Sequence, residues 1–251
     1  MPLQGMRLKN SCYQPTGWLL YSVMKTTGKT AKSPKPVRKR NPEQTQERIF
    51  AAATRVFAER GFDAARVDSI AHAARTNKQL IYHYFGSKDA LFTAVLERAY
   101  LQFRAAEAAL TLDALPADEA VLALVEFTWD YYLKHPEFIR LLNSENQMKA
   151  RHLRASPRTK QINASHISIA RRILARGKRE GTIRPEIDVL QLNTSIAALG
   201  FFYLINRHTL STIFARDLAS KRMLRKRLKT MKEIIGCWIR PQKPGLRRKA
   251  I

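Results

Sequence analysis

Between Phe62 and Phe92 the apolar positions fall into consecutive helical stripes, separated by residues that stop and start helices. Val67, Ile70, Ala71 and Ala74 recur at helical spacing and give a first short helix one apolar face. Asn77 is placed to cap a second, Lys78 to Tyr84, in which Leu80, Ile81 and Tyr84 face inward. Gly86 ends that helix and Ser87 caps the next, with Asp89 in its first turn where a carboxylate suits the helix dipole. Two short helices packed across a turn of three or four residues form a helix-turn-helix, which presents its second helix to a DNA major groove. The outward side chains of that helix, Lys78, Gln79, Tyr82 and His83, are all hydrogen-bond donors, and none is acidic.

The same pattern organises the remainder. Asn41-Pro42-Glu43-Gln44 is a helix start, followed by the stripe Ile49, Ala52, Ala53, Val56 and Phe57. Gly61 closes that helix, and Phe62 is placed to fold back onto it. A long fourth helix runs from Ser87 to about Leu110 with Leu91, Val95, Leu96, Ala99 and Phe103 inward. Pro116 with Asp118 and Glu119 opens a fifth, to about Leu133. Pro136 starts a sixth, which Ser156-Pro157 separates from a seventh ending near Gly181. An eighth, Asp188 to about His208, is apolar nearly all round. A ninth, Asp217 to Ile239, sets Leu224, Leu228, Met231, Ile235 and Trp238 opposite a basic face. Period-2 runs bounded by turn signals are missing, so the chain reads as all-α.

The formal charge of +25 changes this picture only once it is located. Residues 1–40 carry nine Lys/Arg and no acid, and residues 221–251 carry twelve Lys/Arg against Glu233. The N-terminal arm reads either as a basic tail adding phosphate contacts or as a solvated tail. Met24 immediately precedes the basic run, so residues 1–23 are open as a leader that need not be translated. The C-terminal run reads first as the solvated face of a helix and second as a nucleic-acid contact. Cys12 and Cys237 suggest neither a disulfide framework nor a metal site, which fits a reducing cytoplasm. His72, His83, His135, His152, His166 and His208 form no array with metal spacing, and no nucleotide or hydrolase motif occurs. No catalytic residue, metal, cofactor or membrane partner is expected.

KQLIYHYFGSKDAL resembles the segment that marks TetR/AcrR-type bacterial regulators, and RIFAAATRVFAERGFDAA is similar to that family's first helix. The specific part covers about residues 43–103. The resemblance implies a helix-turn-helix DNA-binding head at 41–103 and a helical effector-binding and dimerisation body at 104–240. Basic ends at 1–40 and 241–251 flank them. It places Arg66, Arg75, Thr76, Asn77, Lys78, Gln79, Tyr82, His83 and Lys88 at double-stranded operator DNA. Two departures stand out: Arg75 occupies the turn where the family usually has Gly, and Ala65-Arg66 replaces a small hydroxyl cap.

The resemblance also implies a homodimer in which the eighth and ninth helices pack with their partners; on its residues alone the eighth helix reads alternatively as the centre of a monomeric core. Phe201, Leu204, Ile235 and Trp238 are the candidate interface residues. Phe103, Trp129, Tyr132, Phe138 and Phe202 fall on several helices and can converge only inside the body, predicting a largely apolar effector pocket. Asn143, Asn146 and His166 are its candidate polar anchors, although the Asn143-Glu145-Asn146 group reads first as an exposed helix face. Such a pocket suits a small aromatic or amphipathic effector. The reading is therefore a dimeric regulator, a ligand-released repressor. The alternative is a non-sequence-specific nucleic-acid or nucleoid protein driven by basic tails.

Overall fold

In the computed structural model, the structure describes residues 42–241, apart from the side chains of 159–167, and every regular element among them is a helix. The expectations for the arm 1–40, Cys12, the Asn41 cap, the His166 side chain and the tail beyond residue 241 fall outside the described residues. Four helices come first: α1 (Pro42–Ala64), α2 (Val67–Ala73), α3 (Lys78–Phe85) and α4 (Lys88–Ala108). Within α1 the regular helix ends at Gly61, whose φ of 72° is open to glycine. Phe62 then folds back and stacks with Phe57 at 6.2 Å. Phe57, Phe62, Ile70, Ile81, Leu91, Phe92 and Leu96 close one apolar core over these helices.

The body consists of α5 (Ala117–Lys134), α6 (Pro136–Gln147), α7 (Arg151–Ala155), α8 (Thr159–Arg179), α9 (Val189–Ile205), α10 (Arg207–Ile213) and α11 (Lys221–Ile239). Phe103, Trp129, Tyr132, Phe138, Leu192, Ile196, Met231 and Ile235 fill its core. Two elements belong to both cores: α4 gives Leu91 and Leu96 to the head and Phe103 to the body, and α6 sends Phe138 into the body and Leu141 into the head. Ser144 of the same helix accepts a 3.0 Å hydrogen bond from the Phe62 backbone N–H. The ion pairs Lys232–Glu126 and Arg240–Asp118, each 2.8 Å, set α11 antiparallel to α5.

Among the described residues eleven helices replace the expected nine, because the sixth pattern is broken and a further short helix follows the eighth. The sixth helix stops at Gln147 since Lys149 and Ala150 both adopt φ of 56°, and α7 starts afresh. That break carries no Gly or Pro. Glu145 sustains it by accepting the first amides of α7, from His152 at 2.7 Å and Leu153 at 2.9 Å. The eighth expected helix ends at Ile205, close to its expected end, and α10 follows at a 65° bend. Asn206 stands at the bend and its side-chain amide donates back to the Phe202 carbonyl at 2.9 Å. No single helix among the described residues is long and apolar enough to cross a membrane, while the bent α9–α10 pair meets that test by length and composition only.

Candidate nucleic-acid interface and its link to the body

Local chemistry builds the reading helix. Asn77 accepts the Leu80 amide at 2.7 Å and fixes the start of α3. Gly86, at φ 77°, ends it, and Ser87 accepts the Ala90 amide at 3.0 Å to start α4. Ile81 is fully buried and holds α3 to the head, leaving Lys78, Gln79, Tyr82 and His83 exposed as a row of donors. Asp68 of α2 reaches Lys78 at 3.2 Å, a solvent-exposed pair that orients the lysine more than it stabilises the fold.

The turn between α2 and α3 keeps its shape without glycine. Arg75 takes φ 51°, its amide bonds to the His72 carbonyl, and the Thr76 amide bonds to the Ala71 carbonyl, both at 3.0 Å. This is a helix-ending motif with a side chain at its left-handed position, at a cost of roughly 1 kcal/mol. The strain exposes the Arg75 guanidinium beside α3. Arg66 caps α2 in extended conformation with no side-chain hydrogen bond, as the missing hydroxyl led one to expect. Lys88 donates to the Asp63 carbonyl at 3.3 Å and lies 4.4 Å over the Phe62 ring, which aims it along the edge of the head. Sequence reasoning missed Thr45 and Arg48, which line one groove with Arg75, Thr76 and Asn77. Their signal was position alone, one turn inside α1.

A buried polar cluster joins this head to the body. His152 of α7 is almost wholly buried, with Nδ1 2.7 Å from Glu145 Oε2 and Nε2 3.2 Å from Asp89 Oδ1. Its ring sits between Phe62 and Phe92, at 4.7 and 4.8 Å. Arg151 also meets Asp89, at 2.8 Å. Glu145, expected on an exposed face, is thus 1 % exposed. The correction has a physical reason: a carboxylate is tolerated there because two amides and an imidazole surround it. Exposed Glu47 and Arg98 add a paired link from α1 to α4, with two 2.8 Å hydrogen bonds that hold the Glu47 carboxyl below its usual range.

The effector candidates separate. Phe103, Tyr132 and Phe138 do converge, with Phe103 and Phe138 stacked at 5.3 Å. Trp129 is buried but packs on Tyr203 at 5.8 Å. A cavity of about 60 Å³ lies where α4, α5 and α9 meet, walled by Phe103, Tyr132, Thr128, Asn193 and the Arg104–Glu107 pair. Thr128, Asn193, Arg104 and Glu107 were not singled out from sequence, although a charged pair on the inner face of α4 was a readable signal. Burial raises the phenol pKa of Tyr132, and pushes that of Tyr131 up to about 12, so both rings stay neutral. Asn143 lines an open cleft between α1, α6 and α9 instead, Asn146 is exposed, and Phe202 is 58 % exposed on the outside of α9.

The interface candidates separate in the same way. Leu204 and Ile235 lie in the protomer's own core, at 5 % and 1 % exposure, and Phe201 and Trp238 are half-buried against it. The free apolar surface is elsewhere: Leu190, Phe202, Ile213, Phe214 and Ile234. Gln191, Thr194, Ala198 and Phe202 are exposed at helical spacing along α9, a narrow stripe suited to close helix packing. Among the described residues no group of His, Cys, Asp or Glu could hold a metal ion.

Comparison with known proteins agrees with this architecture. Residues 49–95 match the family described as bacterial regulatory proteins, tetR family, and residues 118–235 match the tetracyclin repressor-like C-terminal domain. The chain is 40% identical over 185 residues to the HTH-type transcriptional repressor NicS of Pseudomonas putida, spanning 74% of this chain and 87% of that protein. It is 44% identical over 103 residues to the HTH-type transcriptional repressor SCO4008 of Streptomyces coelicolor, 41% of this chain and 50% of that one. The solved structure of transcriptional regulator SCO4942 of Streptomyces coelicolor superposes with a TM-score of 0.61 at 26% identity, covering 78% of this chain and 99% of its own. Head, long connecting helix and two matched segments together place this DNA-binding regulator in the TetR family of bacterial regulatory proteins.

Proposed function

We propose that the protein is a homodimeric repressor that reads a near-palindromic operator and is released by a small molecule. The observation that carries this reading is the exposed, acid-free row Lys78, Gln79, Tyr82 and His83 on a helix capped at both ends. Donors of this kind match the acceptor-rich edges of bases and phosphates in a major groove. Arg66, Arg75 and Lys88 surround the row with cations, Thr76 and Asn77 set its entry, and His83 and Tyr82 extend its reach. The exposed α9 stripe of small and polar residues ending in Phe202, with Leu190 of the same helix and Ile234 of α11, supports pairing of two copies.

For the effector, the small cavity between α4, α5 and α9 supports an entry point that must open to admit a ligand. At about 60 Å³ it has room for roughly two waters, far below the volume of ordinary ligand sites. Arg104 and Glu107 balance each other in its wall, which favours an aromatic or amphipathic molecule of low net charge. Opening it displaces α4, whose first turn carries Lys88 and Asp89, and so alters the head. A ligand achieves release only by binding the open form better. Selection from a random duplex library with the full chain tests the core of this reading. The expected product is an inverted repeat whose half-sites lie about 34–36 Å apart. Recovery of no consensus would overturn it.

A further inference from the structure

A second cationic surface lies outside the head, at the end of the body nearest to it. Lys221, Arg222, Arg225 and Lys226 are exposed on the first turns of α11, and among the described residues none of them has an ion-pair partner. Between residues 207 and 229 the chain carries eight Lys/Arg against the single acid Asp217. The antiparallel pairing of α11 with α5 locates this charge. Lys232 is level with Glu126, so Lys221 lies about 16 Å further along, while α5 continues only about 12 Å to Lys134. The first turn of α11 therefore projects past the end of α5, on the side where α6 meets α1.

The segment before it approaches the head directly. Arg207 and His208 line one cleft with Arg60 and Gly61 of α1. Two residues beyond Gly61, the Asp63 carbonyl holds the ammonium of Lys88 at 3.3 Å. The basic run thus begins beside the edge of the head that carries Lys88 and continues away from it. A solvated helix face needs no such placement, and the distal end of the body differs: there Arg176 of α8 is engaged by the carbonyls of Leu112, Asp113 and Leu115.

We propose that the α10–α11 surface, through Arg222, Arg225 and Lys226 with Lys221, grips the phosphate backbone of the duplex flanking the segment read by α3. This rests on DNA binding by the head and adds to it a sequence-independent contact made by the body. Such a contact strengthens binding to every duplex equally and steepens its salt dependence.

The test measures binding of the full chain to a fluorescein-labelled random-sequence duplex over a potassium chloride series. Arg222→Gln/Lys226→Gln removes two cations from the surface, and Arg171→Gln/Arg179→Gln removes two exposed cations from α8 at the distal end. The first variant should lower the slope of log affinity against log salt by roughly 0.9 per lost contact in each subunit, and the second should leave it unchanged. Circular dichroism confirms that both keep wild-type helix content. Equal slopes for wild type and the α11 variant overturn the proposal while leaving the head's role intact. Absence of duplex binding by the wild type overturns both. Binding of the wild type to phosphatidylglycerol vesicles, lost in the α11 variant whose duplex slope is unchanged, overturns the proposal by assigning the face to a membrane.

Discussion

The imidazole of His152 and the carboxylate of Glu145 lie 2.7 Å apart, both almost wholly buried, at the point where α7 is pinned against the head. Glu145 also accepts two backbone amides, so Glu145→Ala leaves three donors, two of them buried and one half-buried, without an acceptor. At about 1–3 kcal/mol for each unsatisfied group, the loss should total several kcal/mol. Glu145→Gln, which keeps one oxygen for the amides, should lose markedly less. Urea denaturation of the two variants checks this, and equal losses would show that the cluster is not held by its hydrogen bonds.

Arg75 gives a second prediction. Its φ of 51° is unstrained only for glycine, so Arg75→Gly should gain up to about 1 kcal/mol of stability. Operator affinity should stay equal or fall, because the cation beside α3 goes with the side chain. A melting curve with a parallel binding titration decides it. A less stable glycine variant would mean that the arginine's own contacts outweigh the strain.

At the protein–DNA surface, Lys88→Ala and Gln79→Ala should behave differently. Lys88 is directed along the edge of the head by the Phe62 ring and the Asp63 carbonyl, and its loss should weaken binding to all duplexes alike. Gln79 is exposed on the reading face, and its loss should change base preference. Wild-type binding by both would remove α3 and the start of α4 from the interface.

The two neighbours Phe202 and Leu204 separate pairing from folding. Phe202 is 58 % exposed and Leu204 5 %. Phe202→Glu should yield folded monomers with weakened operator binding. Leu204→Glu buries an unpaired charge in the protomer core and should unfold the body, at a cost of several kcal/mol. Sedimentation and circular dichroism read the two effects independently. A Phe202→Glu dimer of wild-type affinity would place the interface elsewhere.

The sequence by itself determined the head. Its decisive interactions are local: Asn77 caps an amide three residues away, Ser87 does the same, and each short helix has one apolar stripe that can be buried only one way. The sequence left Arg75 open between a reshaped turn and a strained one, and the hydrogen bonds that end α2 decide for the strained one. Nor did the sequence determine the orientation of α9. A helix apolar on nearly every side has no stripe to choose, so contacts with Tyr132, Met231 and other distant residues decided that Leu204 points in and Phe202 out. The same holds for Glu145, whose burial depends on amides created by a chain break that no Gly or Pro announces. It holds too for the basic run of α11, which composition marks but only its antiparallel pairing with α5 sets beside the head. Short-range periodicity fixes which face of a helix is buried when the faces differ. When they do not, or when charge must be placed in space, long-range packing supplies the answer.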